Sequence, residues 1–123
     1  MGSSPKKTLV LGASANPNRY SYLAINKLRQ FKHPVEGIGN KEGRVADVEI
    51  GIQQKELSEV DTITMYLSAA NQKQYYDYIL TLHPKRIIFN PGAENDELSA
   101  MAEANGIQPI EACTLVMLST GQY

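Results

Sequence analysis

Short apolar runs recur along the chain, three of them closed by glycine or asparagine. Residues 7–11 (KTLVL), 35–38, 61–67 (DTITMYL), 86–89 (RIIF) and 108–111 are of strand length and mostly rich in branched side chains, so they are predicted as strands. The stretches between them space their apolar residues differently. Leu23, Ile25, Leu28 and Phe31 suggest a helix beginning near Ser21 and ending before His33-Pro34. Tyr75, Tyr78, Ile79 and Leu82, three and four apart, predict a helix over 71–82. A further helix is expected over 96–105, with Gly106 where a helix end favours a left-handed residue, and a last helical turn over 115–118. Residues 41–56 are the least patterned. They suggest only an edge strand over 48–52, with a turn or helical piece over 55–60.

Strand and helix alternate throughout, which implies a mostly parallel sheet with helices on both faces. The fold class expected is a single Rossmann-like α/β domain of three layers, spanning 1–123, with residues 1–6 flexible. Ligands of such open sheets bind beyond the carboxyl ends of the strands. The turns after residues 11, 38, 67 and 89 should therefore share one edge.

Composition narrows the classes. A chain of 123 residues with 42% hydrophobic positions supports one core. Net charge is −1, without a basic block, which argues against nucleic acid or a membrane surface as partner. One cysteine can form neither an internal disulfide nor a cysteine-rich metal site, so a cytoplasmic, reducing setting is expected. The start MGSSPKK lacks the apolar stretch of a signal peptide, and no run of about 20 apolar residues suggests a membrane span.

The first turn, LVLGASANPNRYSY, carries the candidate chemistry. Gly12 lets a ligand approach the backbone, the helix start offers free N–H groups, Ser14, Ser21 and Tyr22 add hydroxyls, and Arg19 can clamp a phosphate through two parallel bonds. The same residues would equally suit a Pro17-led turn with Asn16 and Ser21 as caps and Arg19 in solvent. A standard NAD site needs G-x-G-x-x-G and an acidic residue after the second strand. This chain has Gly39-Asn40-Lys41 there. A lysine suits a phosphorylated ribose, as in NADP or coenzyme A, or it is simply a solvated loop residue.

Taken in order, the GAS turn, the NP turn with its arginine and serine, GNK, and the later NPGAEND and EAC segments resemble the small CoA-binding domain proteins. Those are similar to the N-terminal Rossmann-like domain of succinyl-CoA synthetase alpha subunits. The resemblance covers nearly the whole chain and implies CoA as ligand. Gly12, Ser14, Arg19, Ser21 and Tyr22 would then surround its diphosphate, and Asn40 and Lys41 would meet the 3′-phosphate region. Tyr66 and Leu67 would contact the nucleotide, and Asn90, Pro91 and Gly92 would form the far wall. Relatives often carry W-x-Q-x-G and CP where this chain has IFNPGAEN and Cys113-Thr114.

Catalytic groups are sparse. His33 and His83 precede prolines at helix ends, on the edge away from the cleft, and are expected to cap or to be solvated. Cys113 near Glu111 is expected to be a small half-buried residue. Glu94, Asp96 and Glu97 read as the acidic start of a helix rather than metal ligands, and Tyr75, Tyr76 and Tyr78 as core or a dimer contact. The reading that follows is a module for CoA or acyl-CoA without a complete active site, acting as sensor or carrier, possessing no ligase domain, and working as a homodimer or with a partner enzyme. A minimal NADP-linked oxidoreductase and an interaction protein that has lost its ligand remain alternatives.

Overall fold

The computed structural model describes residues 4–123. The flexibility expected for residues 1–6 lies, for the first three, outside them. Lys6 within that stretch donates its backbone N–H to His33 Nδ1 at 2.9 Å. Seven strands form one sheet: β1 (Thr8–Leu11), β2 (Val35–Ile38), β3 (Gly43–Val45), β4 (Val48–Gly51), β5 (Thr62–Met65), β6 (Arg86–Phe89) and β7 (Gln108–Glu111). Their order is β3-β4-β2-β1-β5-β6-β7. All pairs are parallel except the β3–β4 hairpin. The helices are α1 (Tyr20–Gln30), α2 (Ala69–Gln72), α3 (Tyr76–Leu82), α4 (Asp96–Ala104) and α5 (Thr114–Ser119). No helix among the described residues is long and apolar enough to cross a membrane.

Period-two alternation along the central strands builds two cores, one on each face of the sheet. Leu9, Leu11, Ile63, Met65, Ile87 and Phe89 pack with Tyr75, Ile79, Leu98 and Ala102, beneath α3 and α4. Val10 and Ile88 point the other way and pack with Ile25, Leu28 and Leu118 of α1 and α5. β5 shows Thr62 and Thr64 to that second face. Thr64 shares a 2.7 Å hydroxyl bond with Thr114 at the start of α5.

Some expected elements differ. α1 buries Ser21, Ala24, Ile25 and Leu28, a proper three-and-four stripe, and leaves Leu23 and Phe31 exposed. The face expected from Leu23, Leu28 and Phe31 is therefore not the buried one, since Leu23 stands five residues, about 140°, from Leu28 around the helix. The helix expected over 71–82 begins at Ala69 and is broken by a 3₁₀ turn, Lys73–Tyr75. Residues 52–60 contain no helix. His33 is neither solvated nor a cap: it is buried, its ring centroid 4.9 Å from that of Tyr123. Burial first, then the neighbouring Lys6 and Arg86 cations, hold its pKa below the usual histidine value. His83 ends α3 in the left-handed region at φ 48°, with Nε2 2.9 Å from the Asn105 carbonyl oxygen. Gly106 is left-handed at φ 75°, in line with its place after α4.

The β3–β4 hairpin occupies most of the stretch that carried little pattern. Val45 pairs with Val48, so Ala46 and Asp47 form a two-residue turn, and Ala46 has φ 54°. A side chain with a Cβ is strained there, and glycine is the residue that turn favours. Ala46 is exposed, so the strain can be relieved without loss of packing. Ala46→Gly is expected to stabilise the domain by about 0.5–1 kcal/mol, the scale of a compatible backbone change. A raised urea midpoint at unchanged slope would show this; an unchanged or lowered midpoint would mean that the turn is not strained.

Candidate functional site

β1 lies between β2 and β5, so the chain reverses its direction of travel across the sheet at that strand. Beyond its carboxyl end lies a cleft of about 630 Å³. The cleft is built from the turns that leave β1, β2 and β5, the start of α1, the α2 segment and the turn after β6.

Gly12 ends β1 at φ 88°, and a Cβ on it would meet Leu67 N at 3.1 Å. The backbone of the first turn therefore lies directly against that of the β5 turn. Gly12 and Ala13 both donate N–H to the Ile38 carbonyl, at 2.9 and 3.0 Å, which ties the first turn to the end of β2. The loop then folds on itself: Ser14 Oγ accepts from Asn16 N at 3.0 Å, and Asn16 Oδ1 accepts from Asn18 N at 2.9 Å. Asn16 thus stabilises the turn but does not cap the helix. Arg19 holds the N-cap position in extended conformation, no side chain caps α1, and no acidic residue stands in its first turn. The partial positive charge of that helix end is left uncompensated and faces the cleft.

Among the described residues, Arg19 is the one charged residue in the cleft's lining. It is exposed and forms no salt bridge with any described residue. No carboxylate, histidine or cysteine among the described residues lines the cleft. The donor set therefore fits a phosphate: a helix end, a guanidinium, and the hydroxyls of Ser14 and Ser21.

The cleft brings together Gly12, Ser14, Arg19, Ser21, Asn40, Tyr66, Leu67 and Pro91 of the residues singled out in the sequence. Tyr22, Lys41, Asn90 and Gly92 do not line it. Tyr22 packs against the apolar core under α1. Lys41 is an exposed loop residue following Asn40. Gly92 is exposed at φ 92° and donates its N–H to Glu94 Oε1 at 3.0 Å. Asn90 is buried and its amide is committed inward. Nδ2 donates to Thr64 Oγ1 at 2.8 Å and to the Met65 carbonyl at 2.9 Å, and Oδ1 accepts from Thr114 N at 2.9 Å. Its side chain thus joins β5, β6 and α5 instead of forming the far wall.

Asn18, Tyr20, Gly39, Asn71, Gln74 and Tyr75 also line the cleft. Gly39 is the least replaceable of these, because a Cβ there would stand 2.1 Å from the Ala13 carbonyl oxygen. The tyrosines 75, 76 and 78 pack around the α3 core, with Tyr75 also reaching the cleft. Tyr66 lines the cleft and packs against the core under α1. Its hydroxyl is buried and has no hydrogen-bond partner among the described residues. Burial pushes its pKa above the ordinary tyrosine value. Cys113 is half-buried at the N-cap of α5 and does not line the cleft.

A family model described as "CoA binding domain" matches residues 6–119. Among solved structures, an uncharacterized protein is 46% identical and superposes with a TM-score of 0.96, over 98% of this chain and 100% of that one. A hypothetical protein from Pyrococcus horikoshii OT3 has 17% identity and a TM-score of 0.85, over 94% of this chain and 83% of that one. The dinucleotide-forming acetyl-coenzyme A synthetase 1 of Ca. Korarchaeum cryptofilum, in complex with phosphate and ADP, has 18% identity and a TM-score of 0.70. That match covers 87% of this chain but 25% of the synthetase. At these low identities the last two likenesses concern the fold alone. No curated protein sequence matches the chain.

Proposed function

The chain belongs to the CoA-binding domain family, and we propose that it binds coenzyme A or an acyl-CoA as a sensor or carrier, without a complete active site of its own. The observation that carries this reading is the uncapped, acid-free start of α1 facing the cleft beside Arg19, the one charge in its lining. The ligand's diphosphate would lie over that helix end, with Ser14 and Ser21 supplying hydroxyl donors and Arg19 a forked pair of N–H donors. Asn40, and Lys41 after it, would meet the phosphorylated ribose. Tyr66, Leu67 and Pro91 would flank the part of the ligand that crosses the switch point. Among the described residues the lining carries hydroxyls but no carboxylate, histidine, cysteine or lysine to activate them, and on this reading chemistry on the bound thioester would belong to a partner enzyme. With one cysteine, half-buried, the chain suits a reducing compartment such as the cytoplasm.

Thermal unfolding tests the reading. CoA at about 100 times its dissociation constant should stabilise the domain by roughly 2.7 kcal/mol. NAD at the same concentration should shift the melting temperature far less, since Gly39-Asn40-Lys41, not a carboxylate, directly follows β2 and Glu42 beyond it does not line the cleft. Equal shifts with NAD and CoA, or none with millimolar CoA, would remove this function.

A further inference from the structure

One fully buried amide lies behind the wall of the cleft. Gln72, in α2, is 0% exposed. Its Nε2 donates to the Leu67 carbonyl and to the Ala93 carbonyl, each at 2.8 Å. Its Oε1 accepts from Asn95 Nδ2 at 2.8 Å. Asn95 passes the chain of bonds on: its Nδ2 also donates to Tyr76 Oη at 2.9 Å, and its Oδ1 caps α4 by accepting from Leu98 N at 3.0 Å. Tyr76 in turn donates to Glu97 Oε1 at 2.9 Å.

The segments joined here are those that form one arm of the cleft. Leu67 lines it from the end of β5, Pro91 lines it two residues before Ala93, and Asn71, Gln74 and Tyr75 line it from either side of Gln72 in the chain. The other arm, around Gly39, Asn40 and the first turn, is fixed by the Gly12, Ala13 and Gly39 backbone bonds and shares none of these contacts. An apolar side chain of equal length would fill the same space. It would not fix the separation of the Leu67 and Ala93 carbonyls, and it would leave both without their donor.

Resting on the reading that this cleft takes CoA, we infer that Gln72 is a positioning residue that sets the width of the β5–α2 arm, and with it the protein's grip on the organic part of the ligand that this arm flanks. The first-turn arm holds the diphosphate without its help. Gln72 touches no ligand. It acts through Leu67 and through the turn that carries Pro91.

The test compares two ligands, CoA and inorganic pyrophosphate, which keeps the diphosphate and lacks the nucleoside and pantetheine. Wild type should bind CoA more tightly than pyrophosphate. Gln72→Met should weaken CoA about tenfold, the scale of one to two lost hydrogen bonds, and leave pyrophosphate within about twofold. A merely structural loss would lower stability and leave the ratio of the two affinities in the folded protein as it was. If Gln72→Met does not fold, Asn95→Asp decides. It keeps the helix cap and removes both Nδ2 donations, so Gln72 must give up a carbonyl to satisfy its neighbour, and the same selective loss for CoA is expected. An unchanged affinity ratio in the folded variant overturns the positioning role while leaving CoA binding intact. Failure of wild type to bind CoA at all overturns the function on which this inference rests.

Discussion

Gly39→Ala is expected to destabilise the domain by about 3 kcal/mol or more, the upper range for overpacking at a rigid site. The added methyl would stand 2.1 Å from the Ala13 carbonyl oxygen and 3.1 Å from its carbon, both of them backbone atoms. Neither side can withdraw cheaply. Gly39 donates its N–H to Gly51 at 2.9 Å, and Ala13 is tied to Ile38 at 3.0 Å. For a domain of this size the loss corresponds to a fall of roughly 10 °C or more in Tm. Gly51→Ala is the control, because a Cβ there meets nothing within 4 Å; it should leave Tm nearly unchanged. If Gly39→Ala melts with wild type, the close approach of the β2 end to the first turn does not hold the cleft's shape.

That contact also shows where sequence reading stops. The strands were legible because the central ones are short branched runs that burial on both faces makes continuous, and Gly12, Gly39 and Asn90 close three of the runs. The first turn was legible as a strand-to-helix turn because Gly12 closes a buried strand, but its residues suited a phosphate site and a plain Pro17-led turn equally. The β3–β4 hairpin was not legible in full, since its turn is Ala46-Asp47 and carries none of the glycine that marks such turns. Asn90 read as a ligand contact because it sits at the end of a strand on the right edge. Only the three bonds of its amide to Thr64, Met65 and Thr114 reveal that it is turned into the fold. Gln72 gave no signal, being a polar residue in a helical stretch whose usual place is the surface. Its burial follows from partners at residues 67, 93 and 95, which no local pattern connects.

Arg19→Ala should weaken CoA binding by about 1.5–3 kcal/mol, the range for hydrogen bonds to a charged group. Arg19 is exposed and makes no salt bridge with a described residue, so the apo protein should keep its melting temperature. Its backbone, which accepts from Tyr22 and Leu23 at the helix start, is unaffected by loss of the guanidinium. Arg19→Lys should restore only part of the affinity, because a point charge lacks the planar fork that matches two phosphate oxygens. The effect should shrink as salt rises, since the group is open to solvent. Loss of apo stability with affinity intact would make Arg19 a structural residue of the first turn.

The central claim is that the cleft at the β1 switch point holds CoA in preference to other nucleotide cofactors. Calorimetric titration of one wild-type sample with CoA, NADPH and NAD tests it directly. The account predicts one CoA per chain, bound more tightly than NADPH and much more tightly than NAD. NADPH binding as tightly as CoA or more so, or no CoA binding up to millimolar concentration, would contradict it.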